Sequence, residues 1–137
     1  MALQVTRLDH VAIATADTPR MVAWYQRVLG MKVAIEAGPN PPQTQKVYLI
    51  GPAEDGFSAG MMLEVMQKND TPRHQRNSHE PGLSHIAFAV ADFDGALAHL
   101  KQMGVVFLGD IVTAVGGGRL ISFADLEGNM LQIVERR

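Results

Sequence analysis

Four polar side chains stand inside runs of residues that would otherwise fill a hydrocarbon core. His10 lies in DHVAIA and His85 in SHIAFA, while Glu64 lies in MMLEVM and Gln132 in NMLQIV. A carboxylate among apolar neighbours is costly unless it pairs with a cation or coordinates one. Two imidazoles, a carboxylate and an amide carbonyl form a four-ligand set for a divalent ion, with positions left for water or for substrate oxygens. Strand alternation puts His10 on one face with Leu8, Ala12 and Ala14, and Glu64 on one face with Met62 and Met66. Taken singly, each residue has a duller explanation. A lone strand histidine is more often part of a core, and a lone Glu between Leu63 and Val65 can simply face water.

An internal repeat changes that balance. LDHVAIATAD at 8–17 matches LSHIAFAVAD at 83–92, with Leu8/Leu83, His10/His85, Ala12/Ala87, Ala14/Ala89, Ala16/Ala91 and Asp17/Asp92 identical. Val11/Ile86 and Ile13/Phe88 exchange one apolar residue for another. Further on, MLEV at 62–65 is echoed by MLQI at 130–133. The first pair of segments is offset by 75 residues and the second by 68, so the copies differ by seven residues of loop. Both histidines, and the Glu64/Gln132 pair, therefore occupy corresponding places in two copies of one module.

The elements that must position them follow from the same pattern. Each copy opens on an apolar strand. In the first copy Asp17 or Thr18 caps a helix with Pro19 in its first turn, Met21, Val22, Tyr25, Val28 and Leu29 as its apolar face, and Gly30 at its end. In the second, Asp92 caps, Ala96, Leu97, Leu100 and Met103 form the stripe, and Gly104 closes it. Strands are expected at about 31–37, 45–51 and 60–67, then 105–114, 119–124 and 130–135. GPNPPQ, GPAEDG, VGGG and DLEGN supply the turns between them. The expected fold is α+β: two tandem βαβββ modules, about 5–67 and 83–135, whose curved mixed sheets enclose a cleft, in one domain spanning 1–137. The polar stretch 68–82 reads as a linker or as a mobile flap.

Composition sets outer limits. The chain of 137 residues is 47% hydrophobic and 19% charged, with net charge −2. Its charges are interspersed, without the basic stripe that nucleic acid demands. No apolar run approaches the roughly 20 residues that span a bilayer. The opening MALQVTRLDH lacks the basic and apolar regions of a secretory signal. With no cysteine there is no disulfide or thiolate chemistry. A cytoplasmic protein without membrane or nucleic-acid partners is expected.

The segment LDHVAIATADTPRMVAWYQRVLGMKV resembles the opening of vicinal-oxygen-chelate proteins, which include glyoxalase I, methylmalonyl-CoA epimerase, extradiol dioxygenases and bleomycin- and fosfomycin-resistance proteins. LSHIAFAVAD resembles their second-module opening and ISFADLEGNMLQIVE their closing segment. The resemblance implies metal ligands at His10, Glu64, His85 and Gln132, and a divalent ion such as Zn, Ni, Co, Mn or Fe. Gln132 departs from the Glu that glyoxalase I and the epimerase carry there. Glu135 is the substitute ligand to weigh against it, although three residues along a strand point to the opposite face.

In that family's proton-transfer branch the metal binds two neighbouring substrate oxygens and a carboxylate removes the proton beside the carbonyl. Glu64 is the member of the set able to act as that base, because an amide such as Gln132 has no basic site. The resemblance thus implies a glyoxalase I-like lyase or isomerase acting on a small carbonyl or thioester substrate, and a homodimer, since exposed sheet edges usually pair. An epimerase, an extradiol-type dioxygenase and a non-catalytic antibiotic-binding protein are the alternatives. Trp24, Tyr25 and Phe57 could line a pocket, or pack the core. Arg73, His74, Arg76 and His79 could clamp an anionic substrate, or form a solvated loop.

Overall fold

The structure, a computed structural model, describes residues 2–53, 55 and 60–136. Phe57 lies outside the described residues. The chain divides into two compact units, Met1–Pro72 and Arg73–Arg137, so the division falls inside the polar 68–82 stretch.

The first unit contains β1 (His10–Thr15), α1 (Thr18–Leu29), β2 (Lys32–Ala37), β3 (Val47–Gly51) and β4 (Met62–Gln67). Its sheet runs β1-β4-β3-β2, with β1 parallel to β4 and the other pairs antiparallel. Asp17 caps α1 by accepting from the Arg20 amide at 3.1 Å, and Gly30 ends it in the left-handed region (φ 65°), its amide returning to Gln26. The buried stripe of α1, Met21, Val22, Trp24, Tyr25 and Val28, packs across β3 and β4. Beneath it lie Ile50, Leu63 and Val65, all fully buried or nearly so. Trp24 and Tyr25 are therefore core residues, with their rings edge to face at 5.1 Å.

The second unit repeats the plan with β5 (Ile86–Ala89), α2 (Phe93–Gln102), β6 (Val106–Phe107), β7 (Val112–Thr113), β8 (Arg119–Ala124) and β9 (Met130–Val134). The sheet runs β5-β9-β8-β6, with β7 also on β8, and β5 is again parallel to β9. Asp92 caps α2 through the Gly95 amide at 3.0 Å. Phe93, absent from the expected stripe, is buried together with Leu100.

Two expectations are corrected. The single strand at 105–114 is two short strands: Phe107 pairs with Phe123 and Val112 with Leu120, so Leu108–Ile111 bulge against Ile121 and Ser122. Gly109 and Asp110 at that point are poor strand formers, and the extra residues break the ladder. Leu8 and Leu83 precede the first strands of their units and are each 72% exposed. They mark the start of the repeat without contributing to the core.

Candidate functional site

The two sheets hold the four polar side chains in the same register. In the first, Ala12 lies opposite Glu64, with His10 two residues earlier at the start of β1. In the second, Ala87 lies opposite Gln132, with His85 two residues earlier, just ahead of β5. On the far side of β4, Glu64 faces Leu49, and at the matching place on β9, Gln132 faces Ser122. The repeat read in the sequence is thus a repeat of hydrogen-bonded register.

The first unit brings its two candidates together. His10 Nε2 lies 3.1 Å from Glu64 Oε2. The other ring nitrogen, Nδ1, lies 2.8 Å from Asp9 Oδ2, and Asp9 Oδ1 in turn accepts from Arg7 Nη2 at 2.8 Å. The hydrogen bond with Asp9 and the carboxylate of Glu64 raise the pKa of His10 against a smaller cost of desolvation. Asp9 is lowered reciprocally, chiefly by its bond with His10. An imidazole with a carboxylate at each nitrogen is satisfied by two protons, or by one proton on Nδ1 and a cation between Nε2 and Glu64. The second arrangement is how metal-binding histidines are usually oriented, with an outer carboxylate fixing the tautomer.

The second unit presents the neutral counterpart. Ser84 Oγ lies 2.9 Å from His85 Nδ1, at the place Asp9 takes beside His10. The Gln132 amide nitrogen donates to Ser122 Oγ at 3.1 Å, leaving its carbonyl oxygen as the atom able to meet a cation. Glu135, the substitute ligand, is engaged elsewhere. Its carboxylate takes Arg119 Nε at 2.5 Å, while the same guanidinium bonds Asp94 and lies 4.6 Å above the Phe93 ring. Gly118 (φ 84°) passes so close to the Glu135 carbonyl that no Cβ fits there. Glu135 therefore belongs to an ion pair with Arg119.

Sequence reasoning missed Asp9, Ser84 and Ser122, the hydrogen-bond partners of His10, His85 and Gln132. A signal was present for the first two, because each directly precedes a repeated histidine. Among the described residues no three His, Cys, Asp or Glu side chains form one group able to hold a metal ion. Within the first unit His10 and Glu64 bring an imidazole and a carboxylate together, donors that fit a divalent cation, and within the second His85 and Gln132 offer an imidazole and an amide carbonyl. No described helix is long and apolar enough to cross a membrane.

The 73–81 loop ties up its own charges. Glu80 takes His74 Nε2 and Arg76 Nε, each at 3.0 Å, and both hold its carboxyl below the usual range, with His74 the larger influence. Arg76 also donates to the carbonyls of Glu80 and Pro81, and Arg73 to Asn129. His79 is exposed, its backbone amide donating to Asn77. This loop is cross-braced by its own ion pairs.

The profile of the Glyoxalase/Bleomycin resistance protein/Dioxygenase superfamily matches residues 7–133, which span both repeats. The chain belongs to this superfamily. Among its relatives is a lactoylglutathione lyase of Haemophilus influenzae, 25% identical over 129 residues, covering 93% of this chain and 91% of that protein. Similar solved structures include a glyoxalase/bleomycin resistance protein/dioxygenase domain from Frankia (TM-score 0.74, 18% identity, 98% of this chain and 100% of that one). Another is the trypanothione-dependent glyoxalase I of Leishmania major (TM-score 0.69, 21% identity, 96% and 87%). At these identities the structures establish the α+β glyoxalase/bleomycin-resistance fold. Superfamily members commonly depend on a metal ion, bind small molecules and often dimerise, which leaves the reaction of this member to be argued from its residues.

Proposed function

We propose that this superfamily member is a glyoxalase I-like, metal-dependent lyase or isomerase that moves a proton beside a substrate carbonyl. The observation that carries this reading is the Asp9–His10–Glu64 chain, in which an oriented imidazole and a carboxylate face one another at 3.1 Å. His10, Glu64, His85 and Gln132 would hold the divalent ion. When bound, the ion supplies positive charge at the oxygen that becomes anionic as the proton leaves, an effect worth several kcal/mol. Glu64 accepts the α-proton and returns it to the neighbouring carbon or oxygen. Asp9 keeps the proton of His10 on Nδ1, so that Nε2 stays a donor atom. Ser122 engages the amide nitrogen of Gln132, so the carbonyl oxygen is the atom that would serve the ion. In this reading the chain is cytoplasmic and works as a homodimer.

The test is exchange of a substrate α-hydrogen for solvent deuterium by protein purified without a His-tag and loaded with one divalent metal at a time. Exchange with at least one metal, lost in Glu64→Gln, is the expected result. Tight binding of a drug-like ligand with no exchange under any metal would replace this reading with that of a binding protein.

A further inference from the structure

His85 stands one residue outside the β5–β9 ladder. Pairing of β5 with β9 begins at Ile86 and Leu131, whereas His10 is paired with Met62 inside β1. His10 thus inherits its place from the sheet, and His85 takes its place from the chain that leads to it. That chain is the 73–82 segment, whose two arginines each lie against a positive-φ glycine. Arg76 lies over Gly82 (φ 119°), where an added Cβ would meet its Nη2 at 3.0 Å and its Nη1 at 3.2 Å. Arg73 lies beside Gly128 (φ 86°), its Nε and Nη2 each 3.8 Å from the place of a Cβ. Gly82 is three residues ahead of His85, and Gly128 is four ahead of Gln132.

Each arginine also fixes its end by hydrogen bonds. Arg76 donates to Glu80 Oε2 at 3.0 Å and to the carbonyls of Glu80 and Pro81 at 3.2 and 2.8 Å, so one guanidinium closes the turn that delivers residues 82–85. Glu80 Oε1 lies 3.0 Å from His74 Nε2, which makes a three-residue network. An isolated exposed ion pair adds little order, but a planar guanidinium fixed by three acceptors adds more. At the other end Arg73 Nη1 donates to Asn129 Oδ1 at 3.2 Å. Asn129 donates through Nδ2 to the buried Asp125 carboxylate at 2.8 Å, and the amides of Glu127 and Asn129 close the same turn on Asp125 Oδ1. β9, which carries Gln132, starts at the next residue.

We propose that Arg76 and Arg73 are positioning residues for the second unit's half of the metal site, and that 73–82 is a strap setting His85 against Gln132. This rests on the metal-binding reading above. Neither arginine is a ligand. Arg76 holds the turn from which His85 emerges, and Arg73 ties the start of the strap to the hairpin turn from which Gln132 emerges. A ligand held in place before the ion arrives loses less freedom on binding, so loosening the strap weakens affinity without removing a donor atom.

The test uses the full chain and Co²⁺, whose absorption bands report its coordination. Affinity is read by chelator competition well below the melting temperature, and NMR relaxation of the metal-free protein reads backbone order at residues 83–85 and 130–132. Arg76→Ala should lower Co²⁺ affinity ~10-fold, the lower end for partners that support a ligand, and Arg73→Ala should lower it less. Arg76→Ala should also raise mobility at 83–85. Arg73→Lys, which can still donate to Asn129, should keep the affinity of the unaltered protein. Lys46→Ala, which breaks an exposed ion pair with Glu36 in the first unit, should move neither readout. A lowered melting temperature in Arg76→Ala with Co²⁺ affinity, absorption and relaxation unchanged would overturn the proposal. If the unaltered protein binds no divalent ion, the metal reading falls, and relaxation alone then decides: mobility at 83–85 in Arg76→Ala upholds the strap, and its absence removes it.

Discussion

The two units place the same register around two different chemistries. In the first, a histidine is flanked by carboxylates, Asp9 on Nδ1 and Glu64 near Nε2. In the second, the corresponding positions are a hydroxyl and an amide, Ser84 and Gln132. Glu and Gln are nearly the same shape, so the duplication keeps its geometry while one half gains negative charge and the other stays neutral. In the proposed reading, proton removal falls to the one carboxylate of the four, Glu64. The comparison teaches that the scaffold supplies position, and that small changes at matched positions supply the roles.

Removing a histidine from either half should have the largest effect. His10→Ala and His85→Ala should each lose bound metal and activity together while the fold persists, as read by metal analysis beside circular dichroism. Making the halves alike at the carboxylate comes next. Glu64→Gln should keep the fold and at least part of the metal yet lose on the order of 10²–10⁴-fold in turnover, the usual contribution of a general base.

Making the halves alike one residue earlier should have a smaller effect. Asp9→Ser removes the outer carboxylate, and metal affinity should fall ~10–100-fold, as for such partners elsewhere. The same change should return the pKa of His10 towards its ordinary value in metal-free protein, followed by NMR titration. The sign is fixed by the raised pKa. The stabilising contact of protonated His10 with Asp9 and Glu64 is full below the ordinary imidazole pKa and is lost as pH rises through the raised value. Smallest of the four is Ser122→Ala. It frees the Gln132 amide at a net loss of about 1 kcal/mol, so metal affinity should weaken less than tenfold.

Much of this was legible in the chain because its periodicities are local. The α1 cap, the αL glycine at Gly30 and the matched His and Glu/Gln positions follow from spacing alone, and the register confirms that Glu64 and Gln132 are equivalent. What escaped was set by tertiary partners. The break at Leu108–Ile111 depends on how β8 pairs, and the apolar text of 105–114 hid it. The burial of Phe93 and the capture of Glu135 by Arg119 depend on residues far apart in sequence, which alternation cannot see. Asp9 and Ser84 were visible as neighbours of the histidines, but their bonds to Nδ1 are a matter of side-chain rotamer, which no repeat specifies.

The most direct measurement of the central claim is anomalous diffraction from crystals grown with Mn²⁺. The account predicts one strong peak per site whose nearest protein atoms are a ring nitrogen each of His10 and His85, a Glu64 carboxylate oxygen and the Gln132 carbonyl oxygen. A peak that leaves out Glu64 or Gln132, or that draws Glu135 away from Arg119, would contradict it.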